Sequence, residues 1–257
     1  MLEYVDIVDA QTRRSIEVAR RGRLDADVPS CPGWSLADLT WHLTEVQSFW
    51  AAIVEGLLDA PDEVTEPQRP PDEELIGALD AARHRLVEGL ASADPEDACW
   101  TWSADKSVHF VRRRQAHEAL IHRVDFELSA GVELVEINPA LAADGVDEVL
   151  RVMIGGVPDW GTFTPEVATM RLVAEDVNRA WPLQFGRFTG TSPNTGNTYD
   201  LDAVEVMEVG RPEATVSGRA ADLDLWLWGR GPVERLTTDG DPALAGRLRL
   251  LAVEDTQ

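Results

Sequence analysis

The first half of the chain carries apolar residues at helical spacing in four separate stretches. This spacing predicts helices over residues 3–22, from Leu36 onward, over 73–92 and over 107–130. Ser35 precedes the second helix, where a hydroxyl can cap the free amide groups. An acidic, proline-rich segment at 60–72 is predicted to be a loop. Four amphipathic helices within about 130 residues predict a four-helix bundle.

The second half of the chain mixes two kinds of pattern. It predicts helices at 139–153, 219–230 and 242–251, strands at 168–174, 180–188, 203–209 and 213–217, and a loop at 189–198. A run of helices followed by strands and helices predicts an α domain joined to an α+β domain. We therefore expect a bundle over 1–135, a connecting helix and linker over 136–158, and an α+β domain over 159–257.

Charge and composition exclude several function classes. The net charge is −23, and so acidic a surface repels phosphate backbones and anionic headgroups, which predicts no nucleic acid and no membrane partner. No stretch approaches the ~18 apolar residues of a membrane span, and the N-terminus lacks the pattern of a signal peptide. Cys31 and Cys99 are too few for a disulfide framework. These features predict a cytoplasmic protein, which we expect to be a monomer or a small homo-oligomer.

The fourth predicted helix carries a candidate pair of metal ligands. At about 100° per residue, His122 lies about 40° from Glu118 around the helix, and both residues stand beside its apolar stripe. The two side chains can therefore reach one ion. Among five histidines, His42 is the best third ligand, because Leu39 and Val46 mark its face of the second helix as buried. The alternatives are a core histidine and a solvated Glu/His pair. Two histidines and one glutamate would leave a coordination position open, as catalytic sites do.

Three motifs point to a known family. They are Cys31–Leu39 followed by His42, then Arg113–Glu118 running into His122–Asp125, and near the end Val216–Leu223 with Leu225–Arg230. In this order, and over nearly the whole chain, they resemble the mycothiol-dependent maleylpyruvate isomerase family.

The resemblance implies a fold, a metal site and a cofactor. The first domain would be a DinB-like, up-and-down four-helix bundle that binds a divalent metal, usually zinc, through His42, Glu118 and His122. The second would be an α+β domain, similar to sterol-carrier-like folds, that closes over the site. The thiol cofactor would be mycothiol, the small thiol of actinobacteria. A metal ion deprotonates a coordinating thiol, and the family reaction converts maleylpyruvate to fumarylpyruvate by thiol addition, rotation and elimination.

A small anionic substrate would need positive charge beyond the metal. Arginine suits this task because its planar fork matches a carboxylate. Arg114 on the metal-binding helix, and Arg219 or Arg230 in the last motif, are the candidates, with surface ion pairs as the alternative. Asp125 is a candidate acceptor that orients a ligand histidine. A salt bridge along its own helix is the alternative there.

Three functions stay open at this point. The leading hypothesis is a metal- and thiol-dependent enzyme, either an isomerase of the maleylpyruvate type or a thiol transferase on a small electrophile. The second is a non-catalytic small-molecule-binding protein. The third is a metal-dependent hydrolase of the DinB-like type. Thiol dependence separates the first hypothesis from the third.

Overall fold

The computed structural model describes residues 2–256, and the side chains of residues 2–253. It divides into two compact units, of which the first ends at Val135 and the second begins at Glu136. The first unit is helical, and the second contains a mixed five-stranded sheet with helices. This organisation confirms the predicted fold class. Within the described part of the chain, no helix has both the length and the apolar character needed to cross a lipid bilayer.

The helices of the first unit follow the predicted periodicity closely. They are α1 (Tyr4–Arg21), α2 (Leu36–Gly56), α3 (Leu75–Ser92) and α4 (Val108–Ala130). Gly131 ends α4 in a left-handed conformation, with φ of 63°, which glycine adopts without steric cost. Because α4 is buried on nearly all sides, it provides the central wall of the unit.

The helix directions refine the predicted bundle. Asp38, near the start of α2, pairs with Arg69, which shortly precedes α3, while Glu55, near the end of α2, pairs with Arg85 in the second half of α3. Both helices therefore run in the same direction, and directions do not simply alternate as in an up-and-down bundle. The physical reason is the long connection at 57–74. At roughly 3.3 Å per residue, it can carry the chain back along the roughly 30 Å of α2.

Ser35 caps α2 as predicted. Its side chain accepts a hydrogen bond from the Asp38 amide, and the Asp38 carboxylate accepts one from the Ser35 amide. The Ser35 hydroxyl, followed by the Arg69 guanidinium, lowers the pKa of Asp38 to about 2. We expect Ser35→Ala to lower the free energy of unfolding by about 1 kcal/mol in urea denaturation. Ser92→Ala, at an exposed position near the end of α3, should change it by less than about 0.5 kcal/mol; equal effects would contradict the capping role.

The second unit is built on one mixed sheet. It begins with α5 (Pro139–Glu148), which continues into a π-helical turn at Val149–Met153. The strands are β1 (Gly161–Ala174), β2 (Arg179–Thr191), β3 (Thr198–Val206), β4 (Ala214–Gly218) and β5 (Thr237–Gly240), in the order β3-β2-β1-β4-β5. β1 and β4 are parallel, and the other neighbours are antiparallel. The remaining helices are α6 (Ala220–Leu227) and α7 (Pro242–Thr256).

The strand predictions located the buried parts of the sheet and missed the exposed ones. The alternation that predicted 168–174 corresponds to Met170, Leu172 and Ala174, which are fully buried in β1. β1 begins earlier, at Gly161, in a largely exposed stretch, and β2 extends into the predicted loop as far as Thr191. All four residues of β5 are exposed, so this strand carries no apolar alternation that a sequence pattern could detect.

Candidate metal centre

Three polar side chains from two helices converge in the first unit. The Nε2 atom of His42 on α2 lies 3.5 Å from Oε1 of Glu118 on α4, and Nε2 of His122 lies 3.1 Å from the same oxygen. One ligand atom from each residue lies within 4.8 Å of the other two. The packing of α2 against α4 therefore brings the three predicted ligands together.

The donor set fits a zinc ion. Zinc bonds to histidine nitrogen and carboxylate oxygen are ~2.0–2.2 Å long, which places two donors of a tetrahedral site roughly 3.4 Å apart. The observed separations of 3.5 and 3.1 Å around the Glu118 oxygen agree with this spacing. The His42 side chain is 33% exposed and that of Glu118 is 19% exposed, so the cluster is open to solvent on one side. Three protein donors with an open side match a catalytic rather than a structural zinc site.

Asp125 determines which nitrogen of His122 faces the cluster. Its Oδ2 atom lies 2.9 Å from His122 Nδ1, and its side chain is fully buried. A carboxylate accepts hydrogen bonds only, so this contact places the proton of the neutral imidazole on Nδ1 and directs Nε2 toward Glu118. This is the geometry expected of an acceptor that orients a ligand histidine.

The charges of the cluster are strongly coupled. Burial would raise the pKa of Glu118, but His122, His42 and Arg114 outweigh it and hold the pKa of this carboxyl well below its usual range. Burial would lower the pKa of His122, but the Glu118 and Asp125 carboxylates raise it to about 9. Without a metal, His122 therefore carries a second ring proton and a positive charge beside the charged glutamate. A binding cation must displace that proton, so metal affinity is expected to fall with falling pH.

Arg114 lies against the metal-binding carboxylate. Its Nη2 atom donates to Oε2 of Glu118 at 2.9 Å, and only 4% of the residue is exposed. The arginine thus holds the oxygen of Glu118 that the two histidines do not share. The predicted contact between Arg114 and a substrate carboxylate stays a prediction.

The two candidate arginines of the second unit have different surroundings. Arg219 precedes α6, is 60% exposed, and lies 3.3 Å from Glu136 and 3.8 Å from Asp176, which is the surface ion pair considered as its alternative. Arg230 is half-buried after α6 and donates to the Trp228 carbonyl. Burial, and the positive charge of Arg230, lower the pKa of Arg249, so these two guanidinium groups share one region.

Sequence reasoning missed a loop that contacts the cluster. The sequence patterns assigned Trp34 and its neighbours in residues 30–34 no role at the cluster, yet the Trp34 ring lies 5.0 Å from the His42 ring, edge to face. Ser30 donates a hydrogen bond of 2.5 Å to Oδ1 of Asp125. Cys31 is half-buried, with its Sγ atom 3.9 Å from Asp125 Oδ2, and forms no disulfide. The one available signal was that the first family-like motif begins within this loop.

Comparisons with known proteins agree over both units. Residues 5–127 match the mycothiol maleylpyruvate isomerase N-terminal domain, and residues 140–247 match the MDMPI C-terminal domain. No curated protein sequence matches the chain significantly.

Solved structures with a similar fold include two of one enzyme. The crystal structure of the mycothiol-dependent maleylpyruvate isomerase aligns with a TM-score of 0.60, and that of a histidine-to-alanine mutant with 0.61. Each is 14% identical in sequence, and each alignment covers 93% of both chains. At this identity the structural likeness supports the DinB-like fold of the first unit, whereas the domain matches establish the family. The chain therefore belongs to the mycothiol-dependent maleylpyruvate isomerase family.

Proposed function

We propose that the chain is a metal-dependent enzyme that uses mycothiol as its thiol cofactor and isomerises a small anionic substrate of the maleylpyruvate type. The observation that carries this proposal is the convergence of His42, Glu118 and His122 at zinc-like spacing. The family of both domains, and the likeness of the chain to two structures of the mycothiol-dependent maleylpyruvate isomerase, support the thiol and the class of reaction.

The residues of the cluster would bind the ion and set the charge around it. His42, Glu118 and His122 would bind it, while Asp125 keeps Nε2 of His122 available. Arg114 fixes the Glu118 carboxylate and compensates part of its charge. When bound, a divalent cation lowers the pKa of a coordinating thiol, which can then add reversibly to an activated double bond.

The charge balance suits an anionic ligand. Two neutral histidines and one carboxylate around a divalent ion leave a net charge of about +1. This positive position would stand out on a chain whose net charge is −23. An anionic substrate and a thiolate would both be attracted to this site, whereas the acidic surface elsewhere on the protein repels anions.

We propose that Arg230 binds a carboxylate of the substrate. It is half-buried and follows α6 directly, whereas the side chain of Arg219 is 60% exposed. We expect Arg230→Ala to lower kcat/KM by a factor that corresponds to about 2–5 kcal/mol of lost transition-state binding, with the metal content unchanged. Arg219→Ala is the matched control and should cost less than about 1 kcal/mol. Wild-type kinetics for Arg230→Ala would remove this residue from substrate binding.

The acidic balance leads to a proposal about partners. We propose that the enzyme binds neither nucleic acid nor membrane surfaces and acts in the cytoplasm, as its low cysteine content favours. The protein should pass through a DNA column at low salt without retention. Retention that is lost at high salt would contradict this proposal.

Removal and return of the metal test the proposed function. The purified protein would be assayed with maleylpyruvate and mycothiol as isolated, after treatment with a chelator, and after addition of zinc. We expect the chelator to abolish isomerisation and zinc to restore it. An unchanged rate in metal-free protein, verified by elemental analysis, would overturn the proposal.

A further inference from the structure

Ser30 lies in a loop with its own folded structure. The Val28 amide donates to the Trp34 carbonyl, and two tight turns follow each other between these residues, at Val28–Cys31 and Cys31–Trp34. Gly33 adopts φ of 87°, which other residues rarely do. Val28 is 2% exposed and packs into the core of the bundle. The loop is therefore held in one conformation by backbone bonds and a buried anchor.

This loop is attached to α4 by two serine hydrogen bonds. Ser30 Oγ donates to Oδ1 of Asp125 at 2.5 Å, and Ser129 Oγ, one turn further along α4, donates to the Asp27 carbonyl at 2.9 Å. Both bonds tie the same loop to the same helix. Of the two serine bonds, that of Ser30 ends on the carboxylate that contacts His122, which the Sγ atom of Cys31 also approaches at 3.9 Å.

The Ser30 bond restrains the oxygen of the Asp125 carboxylate that the histidine does not contact. Asp125 contacts Ser30 through Oδ1 and His122 Nδ1 through Oδ2, so the two bonds together fix the plane of the carboxylate. Asp125 has no exposed surface, so bulk water cannot replace a lost hydroxyl donor without rearrangement. A carboxylate that loses the Ser30 bond would hold the imidazole less firmly in its direction toward Glu118.

The same loop also contacts the other histidine. The Trp34 ring lies 5.0 Å from the ring of His42 at an interplanar angle of 63°, and the His42 ring lies 4.9 Å from that of His122. One short loop thus reaches His122 through Ser30 and Asp125, and reaches His42 through Trp34. Contacts of both kinds restrict the side-chain positions that the two nitrogen donors can adopt.

From these contacts we infer that Ser30 is a positioning residue of the metal centre, which orients His122 through Asp125. The inference rests on the proposed function only in that it takes the cluster to be the metal site. Loss of a partner that orients a metal ligand typically weakens metal binding by 10–100-fold. Since Ser30 acts through Asp125, we expect Ser30→Ala to lower zinc affinity by about tenfold, at the lower end of this range.

The test compares Ser30→Ala with Ser129→Ala in the full chain. Zinc affinity would be measured by competition with a chromophoric chelator. The His122 Nδ1 proton of the zinc-loaded protein would be followed by NMR. We expect Ser30→Ala to bind zinc about tenfold more weakly and to shift or broaden this proton signal, whereas Ser129→Ala leaves both unchanged. Ser30→Thr, which keeps the hydroxyl, should restore both.

Equal zinc affinities for Ser30→Ala and Ser129→Ala would overturn the inference, whether both match the wild type or both are lowered alike. The second case would mean that the two serines only hold the loop. If the wild-type protein itself binds no zinc, the proposed function fails first. A wild type that binds zinc tightly while the two alanine variants behave alike refutes only the role of Ser30.

Discussion

Replacement of His42 by alanine should lower the zinc affinity of the protein by more than about 100-fold. The reason is that α2 contributes only His42 to the proposed ligand set. The Nε2 atom of His42 lies 3.5 Å from the Glu118 oxygen, and both atoms would bind the same ion. Loss of a partner outside the ligands already costs 10–100-fold, and loss of a ligand should cost more. Competition with a chromophoric chelator measures the change.

His84→Ala provides the matched control for this prediction. His84 lies on α3, its side chain is 59% exposed, and it is absent from the cluster. We expect it to bind zinc like the wild type. If His42→Ala also retained wild-type affinity, the metal would have to bind elsewhere, and the cluster would be a group of hydrogen-bonded core residues.

Replacement of Glu127 by alanine should lower the free energy of unfolding by about 3–5 kcal/mol. The Glu127 side chain is fully buried and accepts hydrogen bonds from Arg123, from Arg14 at 2.8 Å and from the Val135 amide at 3.1 Å. Arg123 is only 1% exposed, so removal of the carboxylate leaves a buried positive charge without its counter-ion. Urea denaturation of the full chain measures the loss.

Glu17→Ala serves as the control for this second prediction. Glu17 also pairs with Arg14, at 3.6 Å, but its side chain is 55% exposed. Exposed pairs of this kind contribute less than about 1 kcal/mol. Similar costs for the two variants would show that the buried network does not stabilise the bundle.

The helices and two of the metal ligands followed from local sequence patterns. A period of 3.6 residues is set within each helix, so its presence and its buried face can be predicted without knowledge of the fold. Glu118 and His122 share one helix face for the same reason. His42 depends on the packing of another helix, so its position became a firm expectation only with the family resemblance.

Features that depend on distant parts of the chain were not predictable in this way. The common direction of α2 and α3 depends on the path of residues 57–74, which carry no periodic signal. The contact between Ser30 and Asp125 joins residues 95 positions apart. Strand β5 and the outer part of β1 are exposed, so their sequences lack the apolar alternation that reveals a buried strand.

The central claim is that this chain uses mycothiol together with a metal at the His42, Glu118 and His122 cluster. The most direct test is the rate of maleylpyruvate isomerisation by the zinc-loaded protein with and without mycothiol, at equal protein concentration. The account predicts isomerisation to fumarylpyruvate that requires mycothiol and returns to the uncatalysed rate without it. Isomerisation at the same rate in both samples, or none in either, would contradict the account.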